Sequence, residues 1–257
     1  MQISVITTTY NGLPLIKDAV SSVLSQTFID FEYIIVDDGS TDGTADYFST
    51  IKDPRIIYIQ KQRIGRAKAL NIAFNQAQSP YIANLDADDI MQPTRLEKQK
   101  CFMDSHPYIG MVGSASTIRH SARKDIITDF PITNTELQKR LYIGYPFIHS
   151  AVLYRREILE KVGGFNEGIR CAIDYDVCSR IAVVAELANL PESLVIRRIH
   201  DTNFFIQHIS PRTYADTLWQ IKWNYWQNKK RPLSKLPIII ASTFSSWYYK
   251  WKQSKQK

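Results

Sequence analysis

The chain has 257 residues, of which 44% are hydrophobic and 22% are charged, a balance that excludes disordered and fibrous proteins. Three cysteines without CxxC spacing exclude a disulfide scaffold and a cysteine zinc site, and no basic and apolar leader precedes the first predicted strand, so we expect a cytoplasmic protein with inert thiols. The net charge of +7 is unevenly spread, because residues 212–257 hold ten lysines and arginines against the single Asp216, a balance of +9 that leaves −2 for residues 1–211.

The first hundred residues alternate short runs of branched apolar residues with stretches of helical period, a pattern that predicts βα units and a parallel sheet. The predicted strands are residues 3–8, 33–36, 56–59 and 81–85. Apolar residues at helical spacing predict helices over 15–24 and 67–77, which are expected to pack on the sheet. Another helix is predicted directly after Pro93 and Thr94.

Beyond residue 110 the pattern becomes mixed and predicts both strands and helices. We expect strands over 111–113 and 151–154, and helices over 135–141 and 156–162. Two glycines, 163 and 164, are expected to end the last of these helices. All five tryptophans lie in the basic segment 212–257, and the apolar run 236–241 in this segment is far too short to span a bilayer. A basic and aromatic segment indicates a surface partner.

Polar residues follow three of the predicted strands, where ligands bind in an open α/β sheet. These loops are residues 8–12, 37–40 and 86–89. Their five aspartates would repel one another at one sheet edge unless a cation or a base amide partnered them. A lone D-x-D is a weak indication, and Asp174-Tyr175-Asp176 is a second example in this chain. The combination of the acidic loops with their spacing along the chain is therefore a stronger indication of a site than any one loop.

Three distinctive stretches of sequence accompany these acidic loops: VITTTYN at residues 5–11, SVLSQTF at 22–28 and IVDDGSTDGT at 35–44. They resemble the large GT-A family of inverting glycosyltransferases, which includes bacterial polysaccharide and lipopolysaccharide transferases. The resemblance covers about residues 1–200. It implies an α/β domain over 1–211, with a Rossmann-like nucleotide-sugar-binding half and a mostly parallel sheet over about 1–110. A mixed acceptor half over about 111–211 and a helical tail over 212–257 complete the expected architecture.

The resemblance also implies a donor site at the edge of the sheet. Thr8, Tyr10 and Asp38 are expected to hold the nucleoside, with the carboxylate accepting a hydrogen bond from the base. Arg66 is expected to face the phosphates or the base. Asp86 and Asp88 match the family's D-x-D motif, whose carboxylates meet the ribose and a divalent cation, here Mn²⁺ or Mg²⁺. Asp88 is the expected direct ligand, and Asp89 is expected to support it from behind.

On the acceptor side, the resemblance implies that Asp174 is the general base that inversion requires. The family usually has a glutamate before this aspartate, and Ile173 takes its place here. Asp176 is expected to cap the following helix. His149 resembles a position that lines the acceptor side.

A C-terminal motif of the family closes over the diphosphate, and His200 resembles its histidine. Arg197 or Arg198 beside it is expected to contact a phosphate, because a guanidinium can pair with two oxygens at once.

Other classes fit the sequence less well. A dinucleotide-dependent oxidoreductase needs a G-x-G-x-x-G turn after the first strand, and residues 9–13 contain one glycine. A glycosidase needs two carboxylates but no nucleotide-type loops, and a nucleotidyltransferase usually has a glycine-rich and basic first loop. A processive polymer synthase would carry a Gln-x-x-Arg-Trp motif, which is missing. The alternative from another class is a nucleic-acid-binding protein that uses the basic aromatic tail.

The favoured hypothesis is therefore a metal-dependent inverting transferase that moves one sugar per encounter. Its donor is expected to be a nucleotide diphosphate sugar, with a UDP-sugar favoured. Its acceptor is expected to be a glycan or lipid-linked glycan in cell-surface polysaccharide or lipopolysaccharide O-antigen biosynthesis. The tail is expected to attach the protein to the inner face of the cell membrane through anionic headgroups, and no nucleic-acid partner is expected.

Overall fold

Strands and helices alternate around one mixed sheet in the computed structural model, which describes residues 1–120, 123–200, 209–229 and 236–255. The strands are β1 Ile3–Thr9, β2 Phe31–Asp37, β3 Ile56–Gln60, β4 Tyr81–Asn84, β5 Ile90–Met91, β6 Ile109–His120, β7 Arg123–Ile127, β8 Leu153–Arg155 and β9 Glu186–Ile199. The helices are α1 Leu15–Leu24, α2 Thr44–Thr50, α3 Arg66–Gln76, α4 Arg95–Ser105, α5 Asn134–Arg140, α6 Arg156–Lys161, α7 Ile173–Val184, α8 Pro211–Asn228 and α9 Leu236–Lys255.

The sheet is parallel in its first half and mixed in its second, as expected. Its order is β3-β2-β1-β4-β8-β6-β9-β5, with β7 beside β6. The first four strands in this order run parallel, whereas β8 is antiparallel to both of its neighbours. Because Thr9 pairs with Asp37 across β1 and β2, the loops that follow these strands leave the sheet side by side. The register therefore gathers the three polar loops at one edge.

Helices cover both faces of the sheet and bury an apolar core on each. The central strands β1 and β2 are almost entirely buried, and branched and aromatic residues predominate on both of their faces. On one face α1 buries Ile16, Val20 and Val23. On the other face α3 buries Leu70 and Phe74. This two-sided packing holds the strand ends rigidly, which fixes the loops that carry the polar side chains.

Two elements of the second half differ from the sequence-based expectation. The strand expected over residues 151–154 begins later, because His149–Ala151 forms a 3-10 turn before β8. The longest strand, β9, was missing from the prediction. The polar stretch 191–193 interrupts its apolar alternation, and its pairing with β6 shifts register in the same region. Long-range pairing with β6, and not local periodicity, keeps this segment extended.

The expected helical tail consists of α8 and α9, which pack on each other and on the second half of the sheet domain. The Tyr225 hydroxyl lies 3.3 Å from the Gln138 carbonyl, and the Ser242 hydroxyl donates to the Tyr142 carbonyl at 3.1 Å. Within the described ranges, no helix combines the length and the apolar character needed to cross a membrane. The tail is thus anchored to the folded domain along its length.

A buried lysine lies between the two tail helices. Lys222 is fully buried, and its Nζ donates to the Ser242 hydroxyl at 2.9 Å. Burial lowers the pKa of Lys222 from 10.5 to about 8, because the charged form loses its hydration. The unfolded chain therefore binds more protons than the folded chain between these two values, so stability rises with pH across this window.

Lys222→Met is expected to abolish that rise and to stabilise the fold below pH 8. The gain is at most about 3 kcal/mol, since each pKa unit corresponds to about 1.4 kcal/mol. The measurement is urea unfolding of both proteins from pH 7 to pH 11, and the difference between them removes the titration of other groups. An equal pH dependence in the two proteins would contradict the prediction.

Candidate active site

Three aspartates form an acidic cluster in the loop between β4 and β5. Asp86, Asp88 and Asp89 each place one carboxylate oxygen within 4.8 Å of the others. The Oδ2 atom of Asp86 and the Oδ1 atom of Asp88 have no hydrogen-bond partner among the residues that the structure describes. Hard oxygen donors at this spacing fit Mg²⁺ or Mn²⁺, which take one or two carboxylates and complete their shell with water or phosphate oxygens. The cluster is therefore a candidate metal site.

Asp86 is held in a network of positive and polar groups. Its Oδ1 accepts from Arg66 Nη2 at 2.6 Å and from Asn84 Nδ2 at 3.2 Å, and it lies 3.3 Å from His149 Nδ1. Burial would raise the pKa of Asp86, but the Arg66 charge and the hydrogen bonds outweigh burial and hold the pKa well below its ordinary value. Asp86 is therefore a permanent carboxylate at this sheet edge.

His149 is buried beneath this network instead of lining an open surface. Its Nδ1 lies 2.9 Å from Arg66 Nη2 and 3.1 Å from Asn84 Nδ2, and two donors favour the tautomer that carries its hydrogen on Nε2. Nε2 is buried and has no partner within the described part of the chain. His149 therefore supports Arg66 directly by accepting its hydrogen bond, and contact with an acceptor stays a prediction.

Asp88 and Asp89 connect the acidic loop to the end of β9. Asp88 Oδ2 lies 2.8 Å from His200 Nε2, so the predicted histidine does reach the acidic cluster. Residues 201–203 of the same motif lie outside the described residues. The buried Asp89 accepts from the Ser150 hydroxyl and, at 2.9 Å, from the Arg198 backbone N–H. Burial and the neighbouring carboxylates raise the pKa of Asp89 to about 8. This environment agrees with a supporting role behind Asp88.

Arg198 has a structural role, and its contact with a phosphate stays a prediction. Its guanidinium donates to Asp18 Oδ2 at 2.5 Å, to the Leu15 carbonyl at 2.9 Å and to the Asp88 carbonyl. These bonds join β9 to the start of α1 and to the acidic loop. Each of the three guanidinium nitrogens donates one of these bonds, which together hold the side chain against α1 and the acidic loop. Arg197, on the other side of β9, keeps the predicted phosphate contact.

The loops after β1 and β2 form the predicted nucleoside side of the site. Asp38 is buried, and its carboxylate accepts from the backbone N–H groups of Ile64 at 2.6 Å and Gly65 at 3.0 Å. Tyr10 is 43% exposed, and the Arg63 guanidinium lies 3.1 Å from its ring centroid. Thr8 is partly buried one residue before the end of β1. All three predicted residues thus lie at one sheet edge.

The neighbouring Asp37 supports the turn, as expected for the first aspartate of the pair. It is fully buried, accepts from the Ser40 N–H at 2.8 Å and from the Tyr58 hydroxyl at 2.6 Å, and is directed away from the cleft. An open cleft of about 720 Å³ lies beside this turn and is lined by Gly39, Ser40 and residues 60–63.

Asp174 lies in the first turn of α7. Its charge acts on Arg66 together with those of Asp86 and Asp88. Desolvation would lower the pKa of Arg66, but these three carboxylates outweigh it and raise the pKa. One guanidinium therefore lies within electrostatic reach of the predicted base and the predicted metal ligands, and the fold brings these groups together from three separate chain segments.

Asp176 does not cap this helix, contrary to expectation. Ala172 occupies the capping position in a left-handed conformation, with φ 53°. Asp176 lies inside the first turn and pairs with Arg180 at 2.7 Å, which in turn donates to the Gly164 carbonyl at 2.8 Å. The second D-x-D thus contains one aspartate, Asp174, that faces the site and another, Asp176, that stabilises α7.

Sequence reasoning missed a fully buried arginine under the acidic loop. Arg95 Nη2 donates to the carbonyls of Asn84 at 3.1 Å and Val152 at 2.9 Å, and its Nε donates to Gln99 Oε1 at 2.9 Å. Gln99 Nε2 donates to the Ala151 carbonyl at 2.8 Å. The pair joins the end of β4 to the turn that carries His149 and Ser150. Two long polar side chains four residues apart, shortly after Pro93, were the available signal in the sequence.

Arg95→Met is expected to destabilise the protein by about 3 kcal/mol or more, because several buried acceptors lose their donors. It is also expected to weaken Mn²⁺ binding about 10- to 100-fold, since groups behind metal ligands typically contribute that much. Urea unfolding and a Mn²⁺ titration measure the two effects. Lys98→Met is the matched control on the same helix, because Lys98 is exposed. Wild-type values for Arg95→Met in both assays would contradict this assignment.

Comparisons with known proteins agree with this geometry. The sequence model described as Glycosyl transferase family 2 matches residues 4–163. An uncharacterized glycosyltransferase of Haemophilus influenzae is 29% identical over 77% of this chain and 65% of its own length, so the chain spans somewhat less than two thirds of that relative. The amylovoran biosynthesis glycosyltransferase AmsE of Erwinia amylovora is 27% identical over 70% of this chain and 69% of its own length.

Solved structures share the fold at low sequence identity. S. aureus TarS 1-349 in complex with UDP-GlcNAc has a TM-score of 0.74 and 17% identity over 99% of this chain and 88% of that chain. The mannosyltransferase PcManGT from Pyrobaculum calidifontis, in complex with GDP-Man and Mn²⁺, has a TM-score of 0.69 and 21% identity over 99% and 73%. At these identities the similarity is one of fold, and the fold is that of the GT-A glycosyltransferases.

Proposed function

This chain belongs to glycosyltransferase family 2, and on that premise we propose that it transfers one sugar from a nucleotide diphosphate donor to an acceptor hydroxyl with inversion. The observation that carries the proposal is the convergence of Asp86, Asp88 and Asp174 on Arg66 at the edge where the nucleoside loops also end. A transferase of this kind needs a base, a leaving-group site and a nucleotide site within one sugar's reach, and these loops supply all three.

Thr8, Tyr10 and Asp38 bind the donor's nucleoside in this proposal. The Asp38 carboxylate already accepts two backbone N–H groups, so little accepting capacity remains for the base. Uracil offers one N–H donor, at N3, whereas guanine offers a pair of donors. Uracil therefore suits the remaining accepting capacity of Asp38 better. This reasoning favours a UDP-sugar, and the UDP-GlcNAc complex of TarS gives it support. Arg63 covers one face of Tyr10, which leaves the other face for the base.

Asp86 and Asp88 would hold Mn²⁺ or Mg²⁺. Asp89 behind Asp88 and His200 beside it would fix the position of Asp88. The Mn²⁺ complex of PcManGT supports a divalent cation in a protein of this fold. When bound, the cation supplies positive charge that stabilises the diphosphate as the bond to the sugar breaks. Arg66 and Arg197 add fixed positive charge on the same side of the donor, close to where the leaving group develops its negative charge.

Asp174 acts as the general base. Its carboxylate takes the proton of the acceptor hydroxyl while the acceptor oxygen forms its bond to the anomeric carbon. The bond from that carbon to the diphosphate oxygen breaks in the same step, and its electron pair leaves with the nucleoside diphosphate. Attack and departure occur on opposite faces of the sugar, so the configuration inverts.

We further propose a glycan or lipid-linked glycan as the acceptor, in cell-surface polysaccharide or lipopolysaccharide O-antigen biosynthesis, with His149 on the acceptor side. The relative AmsE, named for amylovoran biosynthesis, supports a polysaccharide pathway. The reaction would take place at the inner face of the cell membrane. Nucleic-acid binding through the tail is the competing hypothesis, and no feature of the described acidic site favours it.

The experiment that tests this function is a panel of nucleotide sugars incubated with the protein and Mn²⁺ or Mg²⁺. Donor hydrolysis and transfer to glycan acceptors are followed by release of the nucleoside diphosphate, and the anomeric configuration of the product is determined by NMR. The expected result is turnover of one donor class that EDTA abolishes and Mn²⁺ restores. Failure of the metal-loaded protein to bind any nucleotide sugar would rule out the proposed function.

A further inference from the structure

The last helix of the tail carries an apolar stripe that nothing in the described chain covers. Its residues Ile240, Phe244, Tyr248 and Trp251 are 52%, 64%, 52% and 39% exposed. They recur every three or four positions, so they lie on one face of α9 and extend over about 16 Å. The opposite face, marked by the fully buried Ile239, packs toward α8. We call these four residues the α9 stripe.

Aromatic contacts make the α9 stripe a continuous surface. The Trp251 ring lies 6.0 Å from that of Tyr248 and 6.5 Å from that of Trp247, which in turn lies 5.5 Å from Phe244. Contiguous exposed patches of large apolar side chains are uncommon on monomeric soluble proteins and mark interaction sites. Phenylalanine, tyrosine and tryptophan beside basic residues are the composition of helices that lie in a membrane interface.

The charge around the α9 stripe identifies its partner. The sequence has no acidic residue after Asp216, while basic residues precede α9 at 229, 230, 231 and 235 and recur at 252, 255 and 257. Two tail lysines, Lys222 and Lys250, are buried and contribute nothing to this surface. A second copy of the chain would present the same positive charge and be repelled, whereas anionic headgroups complement it.

The tail also connects this surface to the acceptor side of the site. Helix α8 packs against α7, which carries Asp174. Burial and the charge of Asp174 together raise the pKa of Tyr214, in the first turn of α8, to about 12, which places this tyrosine near the predicted base. A surface that attaches α9 to a membrane therefore brings the acceptor half of the active site close to the lipid headgroups.

We propose that the α9 stripe is the membrane-binding surface of this protein and that it inserts its aromatic side chains among anionic phospholipid headgroups. The proposal rests on the proposed function in one respect, because a lipid-linked acceptor would require the acceptor half to lie near the membrane. Phe244, Tyr248 and Trp251 supply the apolar contact, and the basic composition of the tail supplies the positive charge that attracts anionic phosphates. Lipid composition then controls how much enzyme reaches its acceptor.

The test is co-sedimentation of the full chain with vesicles of phosphatidylglycerol and phosphatidylcholine, and with phosphatidylcholine alone. The wild type is expected to bind the anionic vesicles and not the neutral ones. The triple variant Phe244→Ser, Tyr248→Ser, Trp251→Ser is expected to bind at least about tenfold more weakly, because it loses most of its apolar insertion. The matched control is Ile29→Ser with Tyr108→Ser, which removes exposed apolar side chains at 75% and 58% exposure elsewhere.

Each outcome of the co-sedimentation experiment either supports or overturns the proposal. Circular dichroism and donor hydrolysis without lipid verify that the triple variant folds, and donor hydrolysis also tests the transferase function separately from vesicle binding. Vesicle binding lost by the triple variant and kept by the control supports the α9 stripe, even if no donor is hydrolysed. Equal vesicle binding by all three proteins, or none by the wild type, would overturn it. Binding to single-stranded DNA in place of vesicles, lost in the triple variant, would overturn it in favour of a nucleic-acid surface.

Discussion

Replacing Asp174 with asparagine is expected to lower kcat by about 10²- to 10⁴-fold, the range that a positioned general base contributes. Asparagine keeps the size and the hydrogen-bonding geometry of the side chain but cannot take the acceptor proton. The KM for the donor is expected to stay near the wild-type value, because the nucleoside loops and the acidic cluster lie on other segments. Initial rates of transfer at saturating donor, together with the donor Kd from calorimetry, measure the two effects.

The matched control for this variant is Asp176→Asn on the same turn of α7. Asp176 pairs with Arg180, so its replacement is expected to lower Tm while kcat changes little. A loss of kcat shared equally by the two variants would show that α7 had been disturbed, and a fully active Asp174→Asn would remove Asp174 from the mechanism. Activity at raised pH does not rescue Asp174→Asn, since an amide has no proton to lose in this range.

Replacing Asp88 with alanine is expected to weaken Mn²⁺ binding by at least about 100-fold, because a direct ligand contributes more than the 10- to 100-fold typical of groups behind it. Transfer activity falls with it, since the diphosphate loses its stabilising charge as it departs. The measurement is a Mn²⁺ titration by electron paramagnetic resonance, followed by rates across a range of Mn²⁺ concentrations. Partial recovery of activity at high Mn²⁺ is expected.

Asp46→Ala is the control for the loss of one negative charge, because Asp46 is an exposed aspartate on α2 outside the acidic cluster. It is expected to bind Mn²⁺ as the wild type does. The metal assignment would have to be abandoned if Asp88→Ala bound Mn²⁺ with wild-type affinity, or if EDTA-treated wild type retained full transfer activity. Retained nucleotide binding by Asp88→Ala without metal would show that the nucleoside loops act independently of the cluster.

The first half of the fold could be predicted because its information is local. Strands β1, β2 and β4 are buried on both faces, so unbroken runs such as residues 33–36 mark them without knowledge of their partners. The helices between them show one apolar face each, as in α1. The parallel order of these strands follows from the βα alternation. The extended β9 was missed because its polar interruption at 191–193 hides the period, and only pairing with β6 holds it.

Candidate site residues could be identified from the sequence because the carboxyl ends of parallel strands meet at one edge of a sheet. Asp38 and Asp86 follow β2 and β4 directly, so the topology brings them to the same edge as Tyr10. Local sequence also placed Asp174 at a helix start. Their chemical roles stay predictions, since the motif identifies the residue types and the structure supplies their surroundings.

By itself the sequence determined the βα repeat, the acidic loops and the basic aromatic composition of the tail, because each depends on residues adjacent along the chain. Only the tertiary structure decided that Arg198 bonds the start of α1 and the acidic loop, that His149 lies buried under Arg66, and that Arg95 supports the acidic loop. These side chains meet partners between 11 and 183 positions away. Which partner a long polar side chain reaches depends on how the helices pack on the sheet, and burial then requires that each donor find an acceptor.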